Sequence, residues 1–222
     1  FASTTAKELT EALKDLKSRG ATSLVLDLRS NTGGYLLAAK EIVELFIPGR
    51  KLVVYTQGRG TPRQNYETGG RAIMPNIPLA VLINGYSASA SEITAGAMQD
   101  HKRATVIGER SFGKGSVQTL MPLQAQPPEP YQDENKNRKH DDWEEFSDLN
   151  DNGEYDIGPR LKLTIAHYFL PSGRCVHKQY KPDGKLVADD WGVTPDQTLK
   201  LRDVAVRDRW KEAVVFDLIE KD

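Results

Sequence analysis

Apolar residues recur with a helical period over residues 5–19, where Leu9, Ala12, Leu13 and Leu16 share one face. Thr5 and Glu8 predict a capping box ahead of that face, and Gly20 supplies the stop. The pattern then changes. Residues 24–28 form a nearly continuous apolar run, which predicts a strand covered on both faces. A Gly33-Gly34 turn leads to a second helical pattern at 35–46, with Leu36, Leu37, Ile42, Val43 and Phe46. Residues 51–55 predict another strand. Residues 57–76 are rich in Gly, Arg, Asn and Pro and predict an exposed excursion. The apolar run 79–83 is a buried strand, followed by a helix from about 89 to 100. Strands follow at 104–107 and, as extended chain, at 116–120. A long strand at 161–169 ends at Pro171-Ser172-Gly173, and 203–220 predict a terminal helix. Alternating strands and helices imply an α/β protein with a largely parallel sheet.

Residues 124–159 break this alternation. They carry 11 Asp or Glu against 3 Lys or Arg, few apolar residues and three prolines at their start. That composition predicts an acidic insertion on the surface of the core. The whole chain, at 222 residues, is long enough for one large domain with such an insertion. Thirty basic residues against 31 acidic ones argue against a nucleic-acid binder held by a basic surface. No apolar run approaches the roughly 20 residues of a membrane-spanning helix. Cys175 stands alone, which excludes an internal disulfide and a Cys-built zinc site. The chain opens without an initiator Met or a signal-peptide pattern, so missing targeting signals carry no weight.

Three turns concentrate the chemistry: 29–34, 84–89 and 108–115. Each follows a buried strand, so in a parallel sheet all three gather at the carboxyl edge, where α/β proteins bind ligands. In the middle turn, Ser89 begins a helix whose N–H groups can stabilise an oxyanion. Ser89 with Glu92 also forms an S-x-x-E capping box, and the two roles can coexist. The third turn nearly matches a phosphate-binding loop, but Gly115 stands where the magnesium-binding hydroxyl belongs. The β-branched, Pro-terminated continuation supplies no helix N-terminus, which removes the nucleotide reading. Lys114 offers a different chemistry. A neutral lysine can take the proton of a serine hydroxyl, provided an apolar, partly buried site favours its uncharged form. Gln118 could orient the amine without adding charge. An exposed Gly-Lys-Gly turn is the alternative reading.

The segments 26–34, with Asp27, Arg29 and Gly33-Gly34, 87–93, around Ser89, and 108–118, around Lys114, resemble the carboxyl-terminal processing, or tail-specific, serine peptidases. Later blocks at 161–164, 168–174 and 192–196 are similar to that family too. The resemblance implies a ClpP/crotonase-like core running through 1–222. It implies Ser89 as nucleophile, Lys114 as general base and Gln118 orienting the lysine. The oxyanion hole would use the N–H of Ala90 and that of Gly33. It implies cleavage of polypeptides near their C-termini without a catalytic cofactor, outside the cytoplasm, in the periplasm or cell envelope. A first strand and a PDZ domain would precede residue 1 in the full-length protein. Asp27 and Arg29 are read as fixing the Gly-Gly turn.

Within the insertion, Asp148, Asn150, Asn152 and Asp156 occupy positions 1, 3, 5 and 9 of a calcium loop, with Gly153 at position 6. Position 12 is Pro159, not a bidentate Glu, so calcium and a solvated acidic loop both remain open. A catalytically silent, calcium-dependent interaction module is the alternative to the peptidase. His101, His140, His167 and His177 show no metal-ligand spacing, and His167 reads as a packed strand residue.

Overall fold

The computed structural model describes residues 1–123, 128–149 and 151–199. The predicted helix at 203–220 lies outside them. The chain divides into two compact units, one of Phe1–Ser116 with Ala166–Asp222, the other Val117–Ile165.

In the first unit, α1 (Thr5–Ser18) buries Ala6 and Leu13 and ends where Gly20 takes φ +80. Its predicted capping box does not form. The N-cap is Thr4, and Thr5 Oγ1 instead accepts the Ala2 N–H at 2.9 Å. The strands β1 (Leu24–Asp27), β4 (Leu79–Ile83), β5 (Thr105–Gly108) and β8 (Gln197–Thr198) form a parallel sheet in the order β1-β4-β5-β8. β1 is the edge of that order and departs from the prediction. It buries one face only, leaving Val25 62% exposed.

Two helices pack against each other. α2 (Leu36–Glu44) contributes Ala39, Ile42 and Val43 to the core, and α3 (Ala90–Asp100) is buried almost along its length. The core also takes Phe46, Val81, Ile83, Met98 and Leu170, and burying each large side chain contributes about 1.5–3 kcal/mol. β2 (Leu52–Gly58) pairs antiparallel with β3 (Thr61–Glu67) and with the end of β7 (Arg160–Phe169). The segment predicted as an excursion therefore contains a strand, β3, whose side chains are mostly exposed.

In the second unit, β6 (Ser116–Pro122) neighbours the first part of β7. An antiparallel bridge joins Tyr131 to Phe146, with Ser147 N–H on Pro130 O at 2.8 Å and Gln132 N–H on Glu145 O at 2.8 Å. This unit contains the acidic segment and organises it into two loops.

Candidate active site

The three turns at the carboxyl ends of β1, β4 and β5 are hydrogen-bonded into one assembly. Ser87, fully buried, donates its hydroxyl to Leu28 O at 2.7 Å. Asn31 O accepts the Ala88 N–H at 3.0 Å and the Ser91 hydroxyl at 2.9 Å. Asn84 Oδ1 accepts the Ser30 N–H at 2.8 Å, and Phe112 N–H donates to Ser87 O at 2.9 Å. Ahead of the first turn, the Asp27 carboxylate accepts both the Arg29 N–H and its guanidinium, fixing the backbone where the turn begins. The same pairing raises the Arg29 pKa.

Ser89 stands at the centre, partly buried, with φ +56 and ψ −115. A non-glycine residue in that region costs about 1–3 kcal/mol and persists only where its surroundings hold it. Glu92 does the holding. Its carboxylate has 0% exposure and accepts four hydrogen bonds. Oε2 takes the N–H of Ser89 at 2.8 Å and that of Lys114 at 2.8 Å. Oε1 takes the Ser111 hydroxyl at 2.6 Å and the Gly113 N–H at 2.7 Å. The main-chain nitrogens of Ser89 and Lys114, 25 positions apart in sequence, therefore sit on one oxygen atom. Burial pushes the Glu92 pKa up, against the four hydrogen bonds that favour the ionised form.

Gly33 lies against this turn. A Cβ on it would stand 2.5 Å from Ala88 O, 2.7 Å from Ala90 N and 2.8 Å from Ser89 Cβ. Its N–H, expected as an oxyanion donor, is hydrogen-bonded to Asn31 Oδ1 at 2.9 Å. Among the described residues, the N–H groups of Ala90 and of the next glycine, Gly34, have no protein acceptor. Residue 1 is stitched to the same turn. Tyr35 N–H donates to Phe1 O at 3.0 Å, and the Phe1 amino group donates to Gly33 O. The Lys114 side chain is exposed. Gln118 is exposed too and lies on β6, in the second unit.

Residues 1–199 match peptidase family S41. The chain belongs to this family of serine-type peptidases. A carboxy-terminal-processing protease of Bartonella bacilliformis is 38% identical over 204 residues, covering 88% of this chain and 36% of the relative. A chloroplastic carboxyl-terminal-processing peptidase of Arabidopsis thaliana is 39% identical over 117 residues, 53% of this chain and 24% of that one. Among solved structures, a photosystem II D1 C-terminal processing protease superposes with a TM-score of 0.67 at 29% identity, over 90% of this chain and 40% of its own. The chain thus spans well under half the length of these relatives.

For an S41 peptidase, the sequence names the dyad candidates but undervalues Glu92, which spacing marks only as a helix cap. Ser111 is missed altogether. It is 1% exposed, and it relays Glu92 to the chain's last described segment through the Val193 N–H on its Oγ at 2.7 Å. No sequence signal marks this serine as a partner of Glu92.

The predicted calcium residues lie in the second unit, apart from Asn150, which is outside the described residues. Asp148 accepts the N–H of Asn152 at 3.2 Å and of Gly153 at 2.7 Å. Asn152 Oδ1 accepts the Glu154 N–H at 2.7 Å, and its amide donates to Asp156 at 3.0 Å. The residues 133–144 repeat this arrangement. Asp133 accepts from Asn137 at 3.0 Å and Arg138 at 2.8 Å, Asn137 from Lys139 at 2.7 Å, and the Asn137 amide donates to Asp141 at 2.8 Å. Positive φ falls at the fourth and sixth positions of both loops, on Lys136 and Arg138 and on Asp151 and Gly153.

Each loop also rests on a buried glutamate. Glu144, at position 12 of its own loop, accepts the N–H groups of positions 2 and 9 at 3.0 Å each. Glu129, from upstream, accepts those of Leu149 at 2.7 Å and Asp156 at 2.9 Å, the same two positions of the second loop. The residues at position 8, His140 and Tyr155, stack at 3.9 Å. Among the described residues no three His, Cys, Asp or Glu side chains close around one metal position.

Proposed function

We propose that this chain is the catalytic part of a serine endopeptidase that cleaves polypeptides near their C-termini through a Ser89–Lys114 dyad. The observation that carries the reading is the Glu92 carboxylate, which seats the main chains of nucleophile and base on one oxygen. Ser89 Oγ attacks the peptide carbonyl, and Lys114 Nζ takes its proton and delivers it to the leaving amine. The resulting acyl-enzyme is hydrolysed by water, with Lys114 again accepting the proton. The developing oxyanion is received by the free N–H groups of Ala90 and Gly34. Lysine serves as a base only in its neutral form. Gln118 orients the amine. An upstream PDZ domain would capture the C-terminal tail, and the site of action would be extracytoplasmic or lumenal, as the chloroplastic relative suggests. No metal or cofactor takes part in this sequence of steps.

Peptide cleavage by the full-length protein tests the reading. Ser89→Ala and Lys114→Ala are each expected to lower kcat by a factor of about 10³ or more, and Gln118→Ala less. Wild-type cleavage by either of the first two would overturn it.

A second reading concerns the acidic unit, supported by the matched loops at 133–144 and 148–156. Asp148, Asn150, Asn152 and Asp156 with Glu129, and Asp133, Asn135, Asn137, Asp141 and Glu144, provide the oxygen ligands of two structural calcium sites. A catalytically silent module built on them would bind calcium and leave every peptide intact.

A further inference from the structure

Trp191 packs on the lysine turn. A Cβ on Gly113 would stand 3.0 Å from Trp191 Cε3 and 2.7 Å from Lys178 Cβ, and Lys178 N–H donates to Gly113 O at 2.9 Å. The Gly113 N–H is itself on the carboxylate that holds Ser89. Two cations gather on this indole. Lys178 Nζ lies 4.0 Å from the ring centroid and the Arg110 guanidinium carbon 4.9 Å. Each contact gains from the negative ring face. Arg110 also donates to Asp189 O at 2.9 Å, and Lys178 Nζ lies 5.6 Å from the Tyr180 ring. Glu109, Asp189 and Asp190 are close in the chain, yet among the described residues neither cation forms an ion pair with a carboxylate.

Two positive groups held near one ring repel each other, and an anion placed with them relieves that repulsion. Both are partly buried, which limits solvent screening and the entropy lost on capture. Resting on the peptidase reading above, we propose that Arg110 and Lys178, gathered on Trp191, receive a carboxylate of the substrate beside the scissile bond. The ligand chemistry is a single carboxylate, from an acidic side chain or from the chain's own C-terminus.

Four peptides on one scaffold separate the sources: Glu or Gln at a site flanking the scissile bond, each with a free or an amidated C-terminus. The full-length protein is expected to favour the carboxylate-bearing peptides roughly tenfold in kcat/KM at low salt, with the advantage shrinking as ionic strength rises. Loss of the advantage on Glu-to-Gln exchange assigns the side chain, and loss on amidation assigns the terminus. The double variant Arg110→Gln/Lys178→Gln should abolish the preference, and Arg110→Lys/Lys178→Arg should keep it. Calorimetric binding of the same peptides to Ser89→Ala reads the preference without turnover. If no peptide is cleaved, the peptidase reading fails while the binding order still decides this one. Equal binding and cleavage of all four peptides by their respective proteins, or a preference that survives in the Gln double variant, would overturn it.

Discussion

Glu92 shows how one side chain can carry both fold and site. Its carboxylate is wholly buried and has only donors around it: three main-chain N–H groups and the Ser111 hydroxyl. An ionised carboxylate can accept from all of them, whereas a glutamine amide presents its own N–H₂ to at least one donor. Leaving a buried donor without an acceptor costs about 1–3 kcal/mol. Glu92→Gln is therefore expected to destabilise the protein by that amount. It should also lower kcat by about two orders of magnitude with KM changed by less than about threefold, because it loosens Ser89 against Lys114 and leaves the binding surface in place. Thermal unfolding and steady-state kinetics on one preparation check both, and a stability loss with kcat intact would reduce Glu92 to a structural cap. The residue types were legible from the chain. The fourfold convergence was not, because Ser111 and Gly113 join Glu92 only once β4 and β5 are aligned.

At the scale of elements, the parallel strands and their following helices were legible because buried runs and helical periods are strong signals. β3 was not. It is an edge strand with a mostly exposed, polar set of side chains, so its alternation left no hydrophobic trace. β1 misled in the other direction, its continuous apolar run including an exposed Val25. His167 was read as a packed strand residue, and its partner emerges only from the hairpin that follows β7. The bridge between Phe169 and Cys175 sets His167 opposite His177, with ring centroids 4.7 Å apart. His177 Nδ1 is buried with no hydrogen-bond partner among the described residues. Burial, and then the neighbouring His167, lower the His177 pKa below the ordinary value of 6.5. The fold thus favours neutral imidazole. The resulting stability is fully present above pH 6.5 and is lost as pH falls through the lowered value. His177→Phe should therefore flatten the fall of Tm between pH 7 and about pH 5 relative to wild type. Calorimetry over that range checks it, and parallel Tm curves would show that this histidine does not contribute.

For the molecule as a whole, the division into two units separates two kinds of order. The first unit is held by a hydrophobic core. The second leaves most of its large apolar side chains exposed and gains its shape from the clustered rings of Tyr131, His140, Phe146 and Tyr155 and from carboxylates and amides folded over their own backbone. Its two loops were only half legible. The second loop takes its twelfth-position glutamate from Glu129, upstream in sequence, where no linear motif looks for it. The first has Arg138 at φ +63 in the place where glycine is usual. The proposed ligand set of each loop counts three carboxylates, its buried glutamate included, with asparagines at sequence positions 3 and 5. Fewer charges than in an all-Asp loop predict weak sites, with Kd of roughly 10⁻⁴ to 10⁻³ M, in the range of extracellular modules. Trp143 and Tyr155, each within a loop, make terbium luminescence a direct probe. Titration of the intact protein should give two sites that calcium competes for. Asp133→Ala with Glu144→Gln should leave one, and Asp148→Ala with Glu129→Gln should leave the other. A cation that bound the folded loops and not the unfolded chain would, at about 100 Kd, stabilise this unit by about 2.7 kcal/mol per site. Two sites that survive all four substitutions, or no binding at several millimolar calcium, would make the paired loops a purely hydrogen-bonded scaffold.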